Sequence, residues 1–315
     1  MQRPDIAVVI PTRGRPDVVK RAVFSVLSQT LMPTEVWVVI DGPDPATAEA
    51  LGAGGDDRVH VLALDTNRGA SAARNAGVAA ARSEWVAFLD DDDEWLPEKL
   101  ERQWAVVQRC AARDHTLFAT AVEWRVDESS QVYPRRAISP HERVADYLFV
   151  RTQPGEGMLA VPTLMLKRAL AAAHPLPQGL PTHEEFDWFL QLEAAGAGFE
   201  VLLDPVVIVH APSSRISVST TSTWHMSLGW ALLRRKELGK RAFGAFCLTE
   251  VARSAKREGG LALLVGILAM ARTGTVRPFE VARFFAIWFV PDALRRRADL
   301  GLGRLRRRPA TRGAR

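Results

Sequence analysis

Four short apolar segments in the first 90 residues constrain the fold more than any other feature of the chain. They cover residues 6–10, 36–40, 59–64 and 85–89, and helical patterns at 17–29, 46–51 and 71–81 separate them. Continuously apolar strands that alternate with helices are typical of a parallel sheet with helices on both faces. We therefore predict an α/β fold built on a doubly wound, mostly parallel sheet.

Each predicted strand ends in a polar or glycine-containing segment. These segments lie at 11–16, 41–44, 65–69 and 90–94, and they contain Arg, Asp, Asn and Gly. Ligands of open α/β sheets bind beyond the carboxyl ends of the strands, so we expect a nucleotide and diphosphate site at this edge. Neither G-x-G-x-x-G after the first strand nor G-x-x-x-x-G-K-[ST] is present. A dinucleotide fold and a P-loop are therefore not supported.

Five consecutive acids, Asp90 to Glu94, follow the fourth apolar segment directly. Like charges 4 Å apart repel by about 1 kcal/mol in water and about 4 kcal/mol at an effective dielectric of 20, so the run needs a cationic partner. Oxygen ligands without sulfur suit Mg²⁺ or Mn²⁺, and alternation along an extended segment puts Asp90 and Asp92 on one side. The alternative is an acidic start of the next helix. That explains Asp93 and Glu94 but explains acids that continue a strand poorly, so we favour a metal site.

Five motifs occur in order along the first third of the chain. They are VVIPTRGRP at 8–16, SVLSQT at 25–30, VIDG at 39–42, NRGASAARNAG at 67–77 and FLDDDDEWLP at 88–97. Together they resemble family 2 of the inverting glycosyltransferases, in that family's order and spacing. The similarity is close over this third and continues more weakly to about residue 215.

The resemblance implies a GT-A fold, a nucleotide-sugar donor and a divalent metal ion, Mn²⁺ or Mg²⁺. It implies that Thr12 and Asp41 contact the base or ribose, that Asp90 contacts the ribose or sugar, and that Asp92 binds the metal on the diphosphate. Asp90 is also a candidate metal ligand. Arg13, Asn67 and Arg74 complete the predicted donor-binding residues.

Structural roles compete with several of these assignments. Thr12 and Asp41 could form turns, because such sequences cap strands and start helices readily; we favour donor binding for Asp41 and leave Thr12 open. Arg74 and Asn75 could contact phosphate or sugar, but such residues more often pin a loop by hydrogen bonds. For these two residues we favour the structural role.

The segment THEEFDWFL at 182–190 resembles the part of the family in which Glu-Asp precedes an amphipathic helix. The second acid of that pair is the family's general base, and here it falls on Glu185, one methylene longer than the usual Asp. The longer side chain leaves either Glu185 or Glu184 as the base that takes the proton of an acceptor hydroxyl. The alternative is a helix cap, because Thr182 followed by Glu185 fits a capping box.

His210 ends a further apolar segment, 206–210. In related enzymes a His near this position reaches the metal or diphosphate, so the resemblance makes His210 a third candidate metal ligand and Arg215 a candidate phosphate contact. A structural role for His210 is equally expected.

The end of the chain differs in charge from the rest. Residues 291–315 contain nine Arg and two Asp, a net +7, so the formal +5 of the chain leaves −2 for residues 1–290. Apolar helical patterns at 261–271 and 276–290 precede this segment, and Arg277, Glu280 and Arg283 share one face of the second. An apolar helix followed by clustered Arg is typical of attachment to anionic lipid. The alternative is a helical pair packed on the catalytic domain.

We predict four regions: a nucleotide-sugar-binding half at 1–112, an acceptor and catalytic half at 113–222, C-terminal helices at 223–290 and a basic tail at 291–315. Two Cys argue against a disulfide framework, and residues 1–5 do not form a signal peptide. We therefore expect a cytoplasmic protein, peripheral on the inner face of the cell membrane.

The predicted function is metal-dependent, inverting sugar transfer to a hydroxyl of a cell-envelope or lipid-linked saccharide, with no nucleic-acid partner. Two alternatives remain at this point. A nucleotidyltransferase would release pyrophosphate, and a non-catalytic nucleotide-sugar-binding, membrane-associated protein would bind the donor without turnover.

Overall fold

The computed structural model describes residues 3–52, 55–153, 155–211 and 223–290. The chain divides into two compact units. The first contains residues 1–148 and 155–219, and the second contains residues 149–154 and 220–315. Arg215 and the basic tail at 291–315 lie outside the described residues. The predicted boundary at 112/113 falls inside the first unit, and the four-region division stays a prediction.

The first unit contains one nine-stranded sheet within the described residues. Its strands are β1 Ile6–Thr12, β2 Glu35–Ile40, β3 Val59–Ala63, β4 Trp85–Phe88, β5 Glu94–Trp95, β6 Thr116–Val126, β7 Ser129–Tyr133, β8 Met165–Lys167 and β9 Gly198–His210. The order is β3-β2-β1-β4-β8-β6-β9-β5, and β7 pairs with β6.

The helices of the first unit connect these strands. They are α1 Pro16–Leu27, α2 Pro45–Gly52, α3 Ala70–Ala80, α4 Lys99–Arg109, α5 Val144–Phe149, α6 Arg168–Ala173 and α7 Glu184–Ala194, and the last residue of α5 is counted with the second unit. Strands β3, β2, β1 and β4 pair in parallel. This arrangement confirms the predicted doubly wound sheet.

The second half of the sheet is mixed. β8 pairs antiparallel with both β4 and β6, whereas β6 and β9 pair in parallel. β5 adds antiparallel to β9 at the edge. The segment after the acidic run is therefore the last strand of the sheet, and it brings the acids next to the end of β9.

The second unit is helical in its described part. It contains α8 Trp224–Leu233, α9 Arg235–Phe246, a π-helical segment Cys247–Val251, α10 Ala252–Ala255, α11 Leu261–Arg272 and α12 Pro278–Phe289. Gly239 interrupts α9 with φ 71°. Within the described residues, no helix is both long enough and apolar enough to cross a membrane.

The core of the first unit forms around the central strands, because each of them is apolar on both faces. Every residue of β1 and of β4 is buried. Helix α3 packs closely on this sheet at Gly77, where an added Cβ would lie 2.4 Å from Val9 Cγ1 and 3.2 Å from Val39 Cγ2. Gly77 therefore sets how near α3 and its polar side chains lie to the strands.

The structure excludes the alternative of a Thr182/Glu185 capping box and shows how α12 is oriented. Helix α7 begins at Glu184 after His183, which adopts a left-handed φ of 65° and makes no side-chain cap, so Thr182 and Glu185 form no capping box. In α12, Glu280 is only 2% exposed, whereas Phe279, Phe285 and Phe289 face outward. Glu280 turns inward because it caps its own helix, accepting a hydrogen bond from the Arg277 backbone at 2.8 Å.

Candidate active site

The acidic run forms a turn rather than a continued strand. β4 ends at Phe88, the Asp93 N–H donates to the Asp90 carbonyl at 3.1 Å, and the chain becomes extended again at Glu94. The prediction that the acids from Asp90 onward continue one extended segment is therefore wrong. Even so, Asp91 and Asp93 are buried while Asp90 and Asp92 are half-buried, because the turn also directs neighbouring side chains to opposite sides.

Three arginines from neighbouring elements neutralise this run. Arg74 of α3 pairs with Asp90. Arg15, in the loop after β1, lies 3.2 Å from Asp91 Oδ1 and 3.2 Å from Asp92 Oδ2. Arg21 of α1 donates to the Asp92 carbonyl at 2.7 Å and pairs with Glu94 at 3.1 Å. The repulsion predicted from the sequence is thus balanced by residues of the same sheet edge.

Thr12 contributes to the same network. It is buried, and its hydroxyl donates to Asp91 Oδ2 at 2.7 Å. Arg13, next along the loop, is exposed. Thr12 therefore holds the turn in the donor-free protein, and donor contacts by Thr12 and Arg13 stay predictions.

His210 lies at the far side of the acidic turn. Its backbone N–H donates to Asp93 Oδ1 at 3.2 Å, and its ring Nε2 lies 2.7 Å from Glu94 Oε1. Burial raises the pKa of Asp93 to about 8, and the charges of Asp90 and Asp91 add to this rise. The end of β9 is therefore joined to the turn through His210.

The second motif, SVLSQT, fixes the segment after the turn. Gln29 donates to the Leu96 carbonyl at 2.8 Å and accepts from the Leu100 N–H at 3.0 Å. The Thr30 N–H donates to the Pro97 carbonyl at 2.9 Å. Since Gln29 is buried, these bonds hold the beginning of α4, and hence the end of the turn, against α1.

Asp41 shapes the loop between β3 and α3. It is buried, and it accepts hydrogen bonds from the backbone of Arg68 at 2.7 Å and of Gly69 at 2.9 Å. Gly42 has φ 103°, and a Cβ there would lie 3.0 Å from the Asn67 backbone nitrogen. Asn67 itself is exposed and accepts from the Gly69 N–H at 3.3 Å. Asp41 thereby places the N-terminus of α3; donor binding by Asp41 and Asn67 stays a prediction.

Helix α3 also meets the start of α7. Ser71 donates a hydrogen bond to Glu184, and Asn75 makes two hydrogen bonds with the backbone of Leu176, at 2.8 and 2.9 Å. The Asn75 bonds are of the loop-pinning kind expected from the sequence. Because Ser71 hydrogen-bonds Glu184, the two adjacent acids Glu184 and Glu185 have different surroundings.

Glu185 has the electrostatics expected of a general base. Burial raises its pKa above the usual 4.5, and the charges of Glu184 and Asp90 raise it further, whereas its own backbone N–H and Arg74 oppose the rise. A carboxyl group with a raised pKa is a stronger proton acceptor once ionised. The ion pair between Arg74 and Asp90 is the part of the acidic turn that α3 carries toward Glu184 and Glu185.

The residues at the turn fit a metal ion of the hard, oxygen-binding class. Among the described residues, no three His, Cys, Asp or Glu side chains converge on one metal position. Mg²⁺, however, is usually held by one or two carboxylates together with substrate phosphates and water, and the half-buried carboxylates of Asp90 and Asp92 supply such a set. The His210 ring is paired with Glu94. The metal assignments of Asp90, Asp92 and His210 stay predictions.

Sequence reasoning missed three residues of this network, namely Arg15, Arg21 and Ser71. A signal for the arginines was present, because five acids need counter-charges and the adjacent parallel strand is followed by a basic loop and helix. Ser71 carried no such signal. Its partner lies 113 positions away, and only the fold brings the two together.

The doubly wound sheet, its acidic turn after β4 and the acids at the start of α7 define the glycosyltransferase class with a GT-A fold. The chain belongs to glycosyl transferase family 2, whose family model matches residues 7–166, slightly more than half of it. This confirms the predicted family and fold.

Curated relatives and solved structures agree with that assignment. The chain is 43% identical over 99 residues to the succinoglycan biosynthesis protein ExoO of Rhizobium meliloti, covering 31% of this chain and 28% of ExoO. It is 24% identical over 187 residues to the amylovoran biosynthesis glycosyltransferase AmsB of Erwinia amylovora, covering 58% of this chain and 61% of AmsB. The chain thus spans less than two thirds of these relatives.

A solved structure of S. aureus TarS, residues 1–349 in complex with UDP-GlcNAc, has a similar fold. The TM-score is 0.59 at 15% identity, and the match covers 93% of this chain and 92% of the TarS chain. At 15% identity, this similarity is evidence for a shared fold only.

Proposed function

We propose that the protein is an inverting, metal-dependent glycosyltransferase that moves a sugar from a nucleotide-sugar donor to a hydroxyl of a cell-envelope or lipid-linked saccharide. The observation that carries this proposal is that one helix, α3, contacts two acidic groups, the acidic turn and the acids at the start of α7. Arg74 of α3 pairs with Asp90 of the acidic turn, and Ser71 of α3 holds Glu184 beside Glu185. A donor-binding group and a base are thereby fixed relative to each other.

The donor would occupy the carboxyl ends of β1, β2 and β4. The base and ribose would lie against Thr12, Arg13, Asp41 and Asn67, and the sugar against Asp90 and Arg74. The nucleotide-sugar bound to the structural neighbour TarS supports a donor of this class.

Asp92, with Asp90, would hold a Mn²⁺ or Mg²⁺ ion. When bound, such an ion neutralises negative charge on the departing diphosphate. Arg15 and Arg21 keep the carboxylates of the turn in place, since both arginines contact Asp92. His210 would support the turn through Asp93 and Glu94.

Glu185 would act as the general base. It takes the proton from the acceptor hydroxyl as that oxygen attacks the anomeric carbon, and the bond to the nucleoside diphosphate breaks on the opposite face. One displacement of this kind inverts the anomeric configuration. Glu184, engaged by Ser71, is a positioning residue in this account.

The acceptor class and the location follow from two further observations. The names of the relatives ExoO and AmsB refer to the biosynthesis of succinoglycan and of amylovoran, which supports a saccharide acceptor. The +7 segment at 291–315 favours the anionic cytoplasmic leaflet, which supports a peripheral position on the inner face of the cell membrane.

A donor screen tests this proposal. Thermal unfolding is measured with UDP-, GDP- and dTDP-sugars, each with Mn²⁺ or with a chelator, and any ligand found is tested for turnover. We expect one nucleotide class to raise the Tm in the presence of metal, and the sugar to be transferred without release of pyrophosphate. Pyrophosphate release, or no response to any donor, would contradict the proposal.

A further inference from the structure

Helix α12 exposes an apolar face. Its exposed residues are Pro278, Phe279, Ala282, Phe285 and Phe289, which at 100° per residue cover an arc of about 120°. The two charged residues of the helix are placed elsewhere: Glu280 is buried and Arg283 is half-buried. The most exposed positions of the helix are therefore apolar, and its charged residues are less exposed.

The exposed side chains are large. Phe289 is 67% exposed, Phe279 40% and Phe285 39%, and the rings of Phe285 and Phe289 stack at 6.1 Å. The opposite face of the helix is already packed, because Phe284 and Ile287 are buried. An exposed apolar surface on a helix whose other face is already packed is typical of a binding surface.

The charge that follows the helix indicates which partner covers this face. The basic segment with net +7 begins directly after α12, at residues 291–315. A protein partner with an apolar groove would need no such charge, whereas an anionic lipid surface attracts clustered arginines. The 12 residues of α12 span about 18 Å, so the helix suits a position parallel to the bilayer plane rather than across it.

We infer that the face of α12 formed by Pro278, Phe279, Ala282, Phe285 and Phe289 inserts into the interface of an anionic bilayer. This inference rests on the proposed membrane-associated function and names the residues that make the contact. The outward phenylalanines supply the apolar part of the binding, and the basic segment supplies the electrostatic part.

Vesicle co-sedimentation of the full chain tests this. Binding to vesicles of phosphatidylcholine with roughly 30–40% phosphatidylserine, which have a strongly anionic surface, is compared with binding to pure phosphatidylcholine vesicles. Both are measured at low and at high salt. The double variant Phe285→Ser/Phe289→Ser should need roughly tenfold more lipid or higher for half-maximal binding and should keep its salt dependence. Phe24→Ser, which removes a phenylalanine 72% exposed on α1 of the other unit, should bind as the wild type does.

The inference is overturned by no binding of the wild type to anionic vesicles at low salt, by equal binding of the double variant, or by an equal loss in Phe24→Ser. A wild-type dimer that the double variant converts to a monomer, without any vesicle effect, would instead assign the face to a second copy and also overturn it. Circular dichroism and donor-induced thermal shifts on the same samples establish that each variant is folded. Because sedimentation needs no donor, a protein that binds vesicles but no nucleotide-sugar would contradict only the proposed function.

Discussion

At the residue scale, the acidic turn is stable because each carboxylate that faces the sheet edge has a defined partner. Arg15 contacts Asp91 and Asp92, and Arg74 contacts Asp90. Arg15 is the more exposed of the two, since its side chain is 40% exposed whereas that of Arg74 is 11% exposed. Arg15 is therefore the counter-ion that a metal ion at Asp92 would compete with.

Replacing Arg15 by Gln tests that competition. The variant should lose about 1 kcal/mol of unfolding free energy without metal, because an exposed partner contributes little but leaves the buried Asp91 with less compensation. Mn²⁺ should then raise the Tm of Arg15→Gln more than that of the wild type. Arg15→Lys keeps the charge and should respond as the wild type does; equal Mn²⁺ shifts in all three proteins would exclude the competition.

Glu185 and Glu184 can be separated by matched variants. Glu185→Gln keeps the shape but removes the proton acceptor, so transfer should fall by roughly 10²–10⁴-fold while donor affinity changes little. Because burial raises the pKa of Glu185 above 4.5, the ionised fraction, and with it wild-type kcat/KM, should rise with pH through a midpoint above 4.5. Glu184→Gln should retain that acid limb. An unchanged rate in Glu185→Gln with loss in Glu184→Gln would move the base to Glu184.

At the element scale, helix α3 connects the acidic turn with the acids at the start of α7. Its N-terminus is placed by Asp41, and its side chains reach Asp90, Glu184 and the Leu176 backbone. The bounds of α3 were predictable from its alternation with the strands. Its contacts to residues more than 100 positions away were not, because they depend on how β8 and α7 return to the sheet.

Gly77 tests the importance of the α3 position. An added Cβ would lie 2.4 Å from Val9 Cγ1, so Gly77→Ala should cost about 1–3 kcal/mol of unfolding free energy and weaken donor binding by shifting Arg74. In the matched control Gly52→Ala, at the end of α2, the new Cβ meets no atom within 4 Å, and the change should stay within about 0.5 kcal/mol. Chemical denaturation of both variants checks this; equal stabilities would contradict the close packing.

At the scale of the whole molecule, charge and chemistry are separated along the chain. Residues 1–290 carry −2 and residues 291–315 carry +7, so the acidic site and the basic segment belong to different parts. Residue composition was sufficient to predict this separation. It did not predict which face of α12 is exposed, because the shared face of Arg277, Glu280 and Arg283 does not by itself say which way the helix turns, and Glu280 is buried as it accepts the Arg277 N–H.

A chain that ends at residue 290 tests the role of the basic segment. It should bind anionic vesicles more weakly than the full chain and lose most of the salt dependence, because the electrostatic attraction is screened over about 10 Å at 0.1 M salt. Donor binding should be unchanged, since the carboxylates at the strand ends are retained. Salt-sensitive binding equal to that of the full chain would place the electrostatic contact elsewhere.

In the catalytic half, too, the sequence predicted some features of the structure and not others. The parallel strands, their polar ends and the acidic run were all predictable, because strand periodicity and motif order are local in sequence. The turn at Asp90–Asp93, the Arg15 contact and the Ser71–Glu184 bond were not, because each depends on the register between elements that are far apart in the chain.

Calorimetric titration of the nucleotide-sugar found in the donor screen, with Mn²⁺ and with a chelator, tests the central claim most directly. We predict that the wild type binds the donor at least about tenfold more tightly with Mn²⁺, a difference of about 1.4 kcal/mol, and that Asp92→Asn abolishes this difference. Asp204→Asn, which alters an exposed acid paired with Arg102 at 3.2 Å, should bind as the wild type does. Equal donor affinity with and without metal, or a full metal effect in Asp92→Asn, would contradict the account.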